Sequence, residues 1–297
     1  MKKVSLHIAG AFSKYKLILK TLLEYKTKNI SVNVFDGVYK SKWNGGRVQA
    51  YYGEQGNIFK KIDTYNKFGV GVYITFSNDV IKNLESELEN RVLTYLNKSK
   101  LNGVIACNLK LARYISTNYK NIKLIYSVTG LSENTDVSNL LKPKGFFDLV
   151  CPRYEWVYNF VNYENGPLSK LESKYFEIML NDTCKMYCKF WQTHFKKIAE
   201  LNRRYITLDN ISKEEKDYIL KVQECWISSE KENPNNGFLF NGKLVDTTLK
   251  RNDIRFLLSK GFSNFKISGR ELSDNEFQGH LEEFLGCFAE LTTEKIH

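Results

Sequence analysis

Alternation constrains this chain more than any other feature of its sequence. Short β-rich runs recur, and most are separated by amphipathic stretches of helical length. The runs are Val4 to Ile8, Ser31 to Phe35, Val70 to Phe76, Gly103 to Cys107, Ile122 to Ser127, Phe147 to Cys151, Tyr175 to Leu180 and Ser263 to Ile267. Between them, helical spacing covers Tyr15 to Tyr25, Ile58 to Phe68, Glu85 to Ser99, Leu109 to Asn118, Ser132 to Leu141, Tyr154 to Val161 and Arg251 to Lys260. Strand, helix and strand in succession call for right-handed crossovers and a parallel sheet. Eight such units predict an α/β fold, a TIM-like (β/α)8 barrel, with an open doubly wound sheet as the competing arrangement.

A chain of 297 residues suits one barrel domain spanning 1–297, with a large elaboration over 181–262 between the seventh and eighth runs. That interval holds a helical stretch over Cys184 to Asn202, a charged one near Lys213 to Ser228, a turn at Asn233 to Gly237 and a strand-like run over Phe238 to Val245. No stretch is apolar for long enough to span a bilayer, so no membrane partner is expected. The opening MKKVSLHIAGAF alternates like a strand and lacks the form of a secretory signal, which predicts a cytoplasmic chain. In a reducing compartment the six cysteines are buried thiols, metal or cluster ligands, or nucleophiles rather than a disulfide framework.

The net charge of +11 admits an anionic small molecule or RNA as partner, but Lys outnumbers Arg and scattered lysines are usually a solvated surface, which is the stronger reading of charge alone. The segment WNGGR has neither Walker nor GxGxxG spacing, which argues against an NTPase or a Rossmann enzyme.

In a parallel barrel the strand carboxyl ends and their following loops build the active face. Cysteines recur there: Cys107 ends the fourth run, Cys151 the sixth, Cys184 and Cys188 follow the seventh, and Cys225 lies in the elaboration. Thiols converging from several strands could hold a metal or an iron–sulfur cluster, or could simply pack. The group Cys184, Cys188 and His194 is the densest ligand-like cluster, although Trp191 stands where a radical-SAM motif needs its third cysteine. Other polar groups fall at run ends: His7, then Asp36, Tyr39, Asn44 and Arg47, then Arg153 and Glu155, then Arg270. Three arginine forks at one mouth would suit an anionic ligand, or they could pair with neighbouring acids to fix loops.

The stretch GFSNFKISGR resembles the "G-x-x-x-x-K-I-E-G-R" segment of the collagenase-like U-type peptidase family, which includes RNA-hydroxylation and anaerobic ubiquinone-hydroxylation branches; Ser268 stands in place of the glutamate. NVFDGVYKSKWNGGR and CPRYEWVYNF are similar to two upstream segments of that family, and VDTTLKRNDIRFLL to its approach to the last strand. The peptidase signature after the seventh strand is not reproduced in NDTCKMYCKFWQTHF. The resemblance implies a barrel and a [4Fe-4S] cluster held by Cys151, Cys184, Cys188 and Cys225, with Cys107 and His194 as substitutes and zinc as the alternative metal. It further implies a hydroxylation-type modification enzyme acting on an RNA base or aromatic metabolite, in which Arg47, Arg153, Arg270, Glu155 and Tyr39 act on substrate and protons. A hydrolase using zinc or a thiolate, and a non-catalytic basic barrel that binds nucleic acid or protein, are the alternatives.

Overall fold

The computed structural model describes residues 3–25, 29–46, 55–81, 83–181, 191–204, 212–214, 238–240, 243–245, 248–270 and 272–293. Seven parallel strands come first in the chain: β1 (Val4–Ala9), β2 (Ile30–Asp36), β3 (Gly71–Phe76), β4 (Gly103–Ala106), β5 (Lys123–Tyr126), β6 (Leu149–Val150) and β7 (Glu177–Met179). A two-stranded antiparallel hairpin, β8 (Phe238–Phe240) and β9 (Lys243–Val245), lies apart from them. The last strand, β10 (Asn264–Ile267), inserts between β1 and β7. The order β6-β5-β4-β3-β2-β1-β10-β7 is closed by a parallel bridge from Val150 to Phe176, which completes a (β/α)8 barrel.

The strands are buried on both faces, so they read as apolar runs rather than as an alternation of apolar and polar residues. Every residue of β3, GVYITF, is buried. Outward residues such as Val34, Val72, Ile74, Val104, Ile178 and Phe265 pack beneath the helices. Inward residues form a separate interior cluster of Ala9, Phe35, Tyr73, Ile105 and Ile125, with Leu149 packed against it.

The outer layer contains α1 (Tyr15–Glu24), α2 (Ile58–Lys67), α3 (Glu87–Leu96), α4 (Leu109–Asn118), α5 (Tyr154–Tyr163), α7 (Arg251–Ser259) and α8 (Asp274–Thr293). Asn57 and Asn108 cap α2 and α4, their side chains accepting from Lys60 N and Leu111 N. Helix α8 has no counterpart among the expected elements; it buries Phe277, Leu281, Phe284, Phe288 and Leu291, a spacing of three and four residues that marks one apolar face.

One expected helix is absent. Residues Ser132 to Leu141 form only a 3-10 turn over Val137–Asn139. Asp136 accepts from Ser138 N, Ser138 Oγ and Asn139 Nδ2, and Thr135 Oγ1 accepts from Ser132 N. These short polar side chains offer the backbone local partners that compete with the helix ladder. The apolar residues Leu131, Val137, Leu140 and Leu141 are buried without a helix.

Candidate functional site

Three strands place charged groups inside the barrel. His7 on β1, Glu177 on β7 and Lys266 on β10 are neighbours through the registers His7↔Lys266 and Lys266↔Met179. Glu177, fully buried, contacts His7 Nδ1 through one carboxylate oxygen and Lys266 Nζ through the other, at 3.2 Å. Burial alone would push this carboxyl up, yet Lys266 and His7 together outweigh it and hold Glu177 down at about 2. Above Lys266 lies the Phe35 ring, 4.2 Å from Nζ to centroid, and the His7 and Tyr73 rings are 4.6 Å apart. Burial, with Glu177 nearby, raises the Tyr73 phenol well above its ordinary value.

Gly103 makes room for Tyr73. A β-carbon at Gly103 would lie 2.1 Å from the tyrosine ring, so a side chain there and the ring could not both face inward.

At the carboxyl-end mouth, Asp36 closes β2 and is fully buried. Its Oδ2 accepts from Phe12 N at 3.0 Å and Ser13 N at 3.3 Å, and its Oδ1 accepts from Gly37 N and from Arg270 Nη1 at 3.1 Å. Arg270 thereby ties the end of β10 across β1 to β2. Next to this pair, Lys61 donates to Phe12 O and Gln55 O; burial lowers its pKa, although Asp36 opposes the shift. Gln55 accepts from Tyr39 N at 2.8 Å, so Tyr39 stands in the same loop cluster. On the far side, Arg153 grips Glu155 with Nε and Nη2 at 3.2 and 3.0 Å, and its guanidinium lies 5.3 Å from the Trp191 ring. Arg153 and Arg270 are therefore each held by a carboxylate at the mouth. Arg47 lies outside the described residues.

Helix α6 (Trp191–Arg204) crosses part of this mouth. Trp191 sits at Arg153 beyond β6, and Asn78 beyond β3 donates to Ala199 O at 3.1 Å. Asn202 reaches Asn44 O at 3.3 Å in the loop after β2. Fourteen helical residues span about 21 Å, enough to bridge the barrel mouth. Beside α6 the mouth also holds Asp36, Arg270, Asn181 and His280; Asn181 binds Ser268 through N, O and Oγ atoms and lies 3.4 Å from His280 Nδ1.

The cysteines separate into different environments. Cys107 donates to Ser77 O at 3.2 Å, and burial pushes its free thiol up to about 12. Cys151 is fully buried at the end of β6, two residues before Arg153. Cys184, Cys188 and Cys225 lie outside the described residues. His194 is half-buried on α6 and stacks on Phe195. Among the described residues no three His, Cys, Asp or Glu side chains form a metal-binding group.

Sequence reasoning singles out His7, Asp36, Arg153, Glu155 and Arg270, each of which belongs to a buried polar contact. It passes over Glu177, Tyr73 and Asn78. For Glu177 a signal exists: a carboxylate in the middle of the apolar run YFEIML, at an inward position by strand alternation.

No protein-family model and no curated relative matches the chain. Among solved structures, that of the U32 peptidase Mk0906 aligns over 91% of this chain and 94% of that one, with 13% sequence identity and a TM-score of 0.51. This chain therefore shares the barrel fold of a U32 peptidase.

Proposed function

We propose that the chain is an enzyme of the hydroxylation type, acting on an RNA base or aromatic metabolite at the carboxyl-end mouth of the barrel. Its cofactor in this reading is a [4Fe-4S] cluster held by Cys151, Cys184, Cys188 and Cys225. One observation carries the reading: the buried Cys151 lies two residues before Arg153, whose guanidinium is 5.3 Å from the ring of Trp191, and Trp191 follows Cys188 by three positions in the chain.

A bound cluster would supply one-electron transfer. The chain's own residues orient substrate: Arg270, held by Asp36, presents positive charge at the rim, and Arg153 and Glu155 fix the opposite wall. Arg47, which follows β2 in the chain, joins them in this reading, with Tyr39, whose backbone N–H binds Gln55 in that loop cluster. Helix α6 shields the side of the mouth over β3 to β6 from water.

Anaerobic purification with iron, sulfide and zinc analysis tests this. A brown protein that loses iron in Cys151→Ser and Cys184→Ser variants is expected. A colourless protein with stoichiometric zinc would support the hydrolase alternative, and one with neither metal would leave the barrel as a binding module.

A further inference from the structure

The end of the barrel opposite the mouth carries a surface that the catalytic reading does not use. Of five large hydrophobic side chains exposed among the described residues, four stand at the amino-terminal face where helices hand over to strands: Leu23 (54%), Phe68 (58%), Leu101 (38%) and Tyr163. Three of them form one row under successive units. Leu23 and Phe68 line a common groove of about 490 Å³ with Leu19, Leu22, Ile30 and Val32, and the Leu101 carbonyl packs against Gly71, three residues after Phe68.

The same rim is basic. Lys67, Lys98, Lys100, Lys120 and Lys123 are exposed around the ends of α2, α3 and α4, and none meets a carboxylate at ion-pair distance among the described residues. Some described lysines outside this rim do find acids, Lys142 with Asp148, Lys174 with Glu172 and Lys260 with Glu164, while exposed Lys16, Lys60, Lys144 and Lys170 do not. Helix dipoles do not account for the rim lysines as a group, because only Lys67 lies in a helix's last turn; α3 and α4 have no basic residue there.

We propose that this amino-terminal face, beneath β2 to β5, docks on an anionic phospholipid surface. The lysines would meet lipid phosphates while Leu23, Phe68 and Leu101 enter the headgroup boundary. Apolar side chains spaced along successive helix ends, with lysines between them, match a broad plane rather than a single peptide, and they lack the arginines and stacked aromatics suited to nucleic acid. No membrane-spanning helix is required; among the described residues none is long and apolar enough to be one. Docking this way leaves the carboxyl-end mouth facing solution.

The test is sedimentation of the full chain with phosphatidylglycerol-containing vesicles and with pure phosphatidylcholine vesicles. Binding to the anionic vesicles that weakens with salt is expected. At roughly fivefold per lysine, the Lys67→Gln, Lys98→Gln, Lys100→Gln triple variant should bind about 100-fold more weakly. A Phe68→Trp variant should show, relative to the wild type, an added blue-shifted emission on those vesicles only. The proposal is overturned if the wild type binds neither vesicle, if the triple variant binds like the wild type, if the emission added by Phe68→Trp does not respond to the vesicles, or if single-stranded RNA competes the vesicles away through the same lysines. Unchanged thermal midpoints confirm that the variants remain folded.

Discussion

Lys266→Met is the sharpest probe of the barrel interior. The substitution keeps length and apolar stem but removes the ammonium that lies 3.2 Å from Glu177, a carboxylate with no solvent exposure. The His7 contact would remain, so the carboxylate is left half-compensated rather than bare. Removing one partner of a buried pair costs about 3–5 kcal/mol, and the surviving His7 contact places the expected loss near the lower end, about 3 kcal/mol. In a chain of 297 residues that lowers the thermal midpoint by roughly 5 °C. Adding Glu177→Gln removes the stranded charge, and the double variant should recover most of the loss, giving a coupling energy of at least about 3 kcal/mol in a double-mutant cycle. Urea unfolding followed by circular dichroism measures all four states. If Lys266→Met costs less than about 1 kcal/mol, or the double variant is no better than the single, Glu177 has access to water and the account of a sealed, charge-compensated interior is wrong.

Further outcomes follow from the same geometry. Glu177 sits at about 2 in the folded chain against 4.5 for the unperturbed group, a difference of about 3 kcal/mol. Because the folded value is the lower one, this stability is complete above about pH 4.5 and is lost as pH falls towards 2; a Glu177→Gln variant should lack that part of the acid dependence in urea titrations between those limits. Gly103→Ala drives a β-carbon into the Tyr73 ring and should cost about 1–3 kcal/mol, whereas Gly103→Ala with Tyr73→Leu should regain part of it; near-equal stability of the two would remove Gly103 from its spacing role. Asn78→Ala breaks bonds to Lys42 O, Ala199 O and Val80 N, so α6 should open and limited proteolysis between 181 and 210 should speed at least severalfold; an unchanged cleavage rate would mean α6 is held by other contacts.

The barrel is legible because its strands are buried twice. A run such as GVYITF must be apolar throughout to satisfy both the interior and the helix layer, and that leaves an unbroken signal in the sequence. Ser132 to Leu141 misleads for a related reason: Leu131, Val137, Leu140 and Leu141 are spaced as on a helix and are indeed buried, but Asp136 and Thr135 spend their side chains on local backbone groups. Burial periodicity reports which residues go inside; it does not report which hydrogen bonds the backbone makes on the way. Helix α8 escapes notice through the opposite imbalance, its face of Phe277, Leu281, Phe284 and Phe288 being diluted by Glu276, Glu282 and Glu283 on the solvent side.

Site residues are legible where a charged side chain stands at a strand end and illegible where its partner is distant in sequence. Arg270 and Asp36 are 234 positions apart, yet each is conspicuous as a charge at the end of an apolar run. Lys266 and Glu177 are 89 apart and sit within their strands, where a charge reads as an irregularity until the register brings the two together. The pairings recast the arginines. An arginine fork already engaged by a carboxylate, as in Asp36–Arg270 and Arg153–Glu155, cannot turn fully to a ligand without stranding a buried acid, which costs more than one new contact returns. In the function proposed above, these arginines would act on an anion mainly through the field of their fixed positions, with the carboxylates holding them there. Selectivity at the mouth would then depend on shape and on α6 more than on freely offered guanidinium donors, and substituting Asp36 should disturb substrate affinity as much as substituting Arg270 itself.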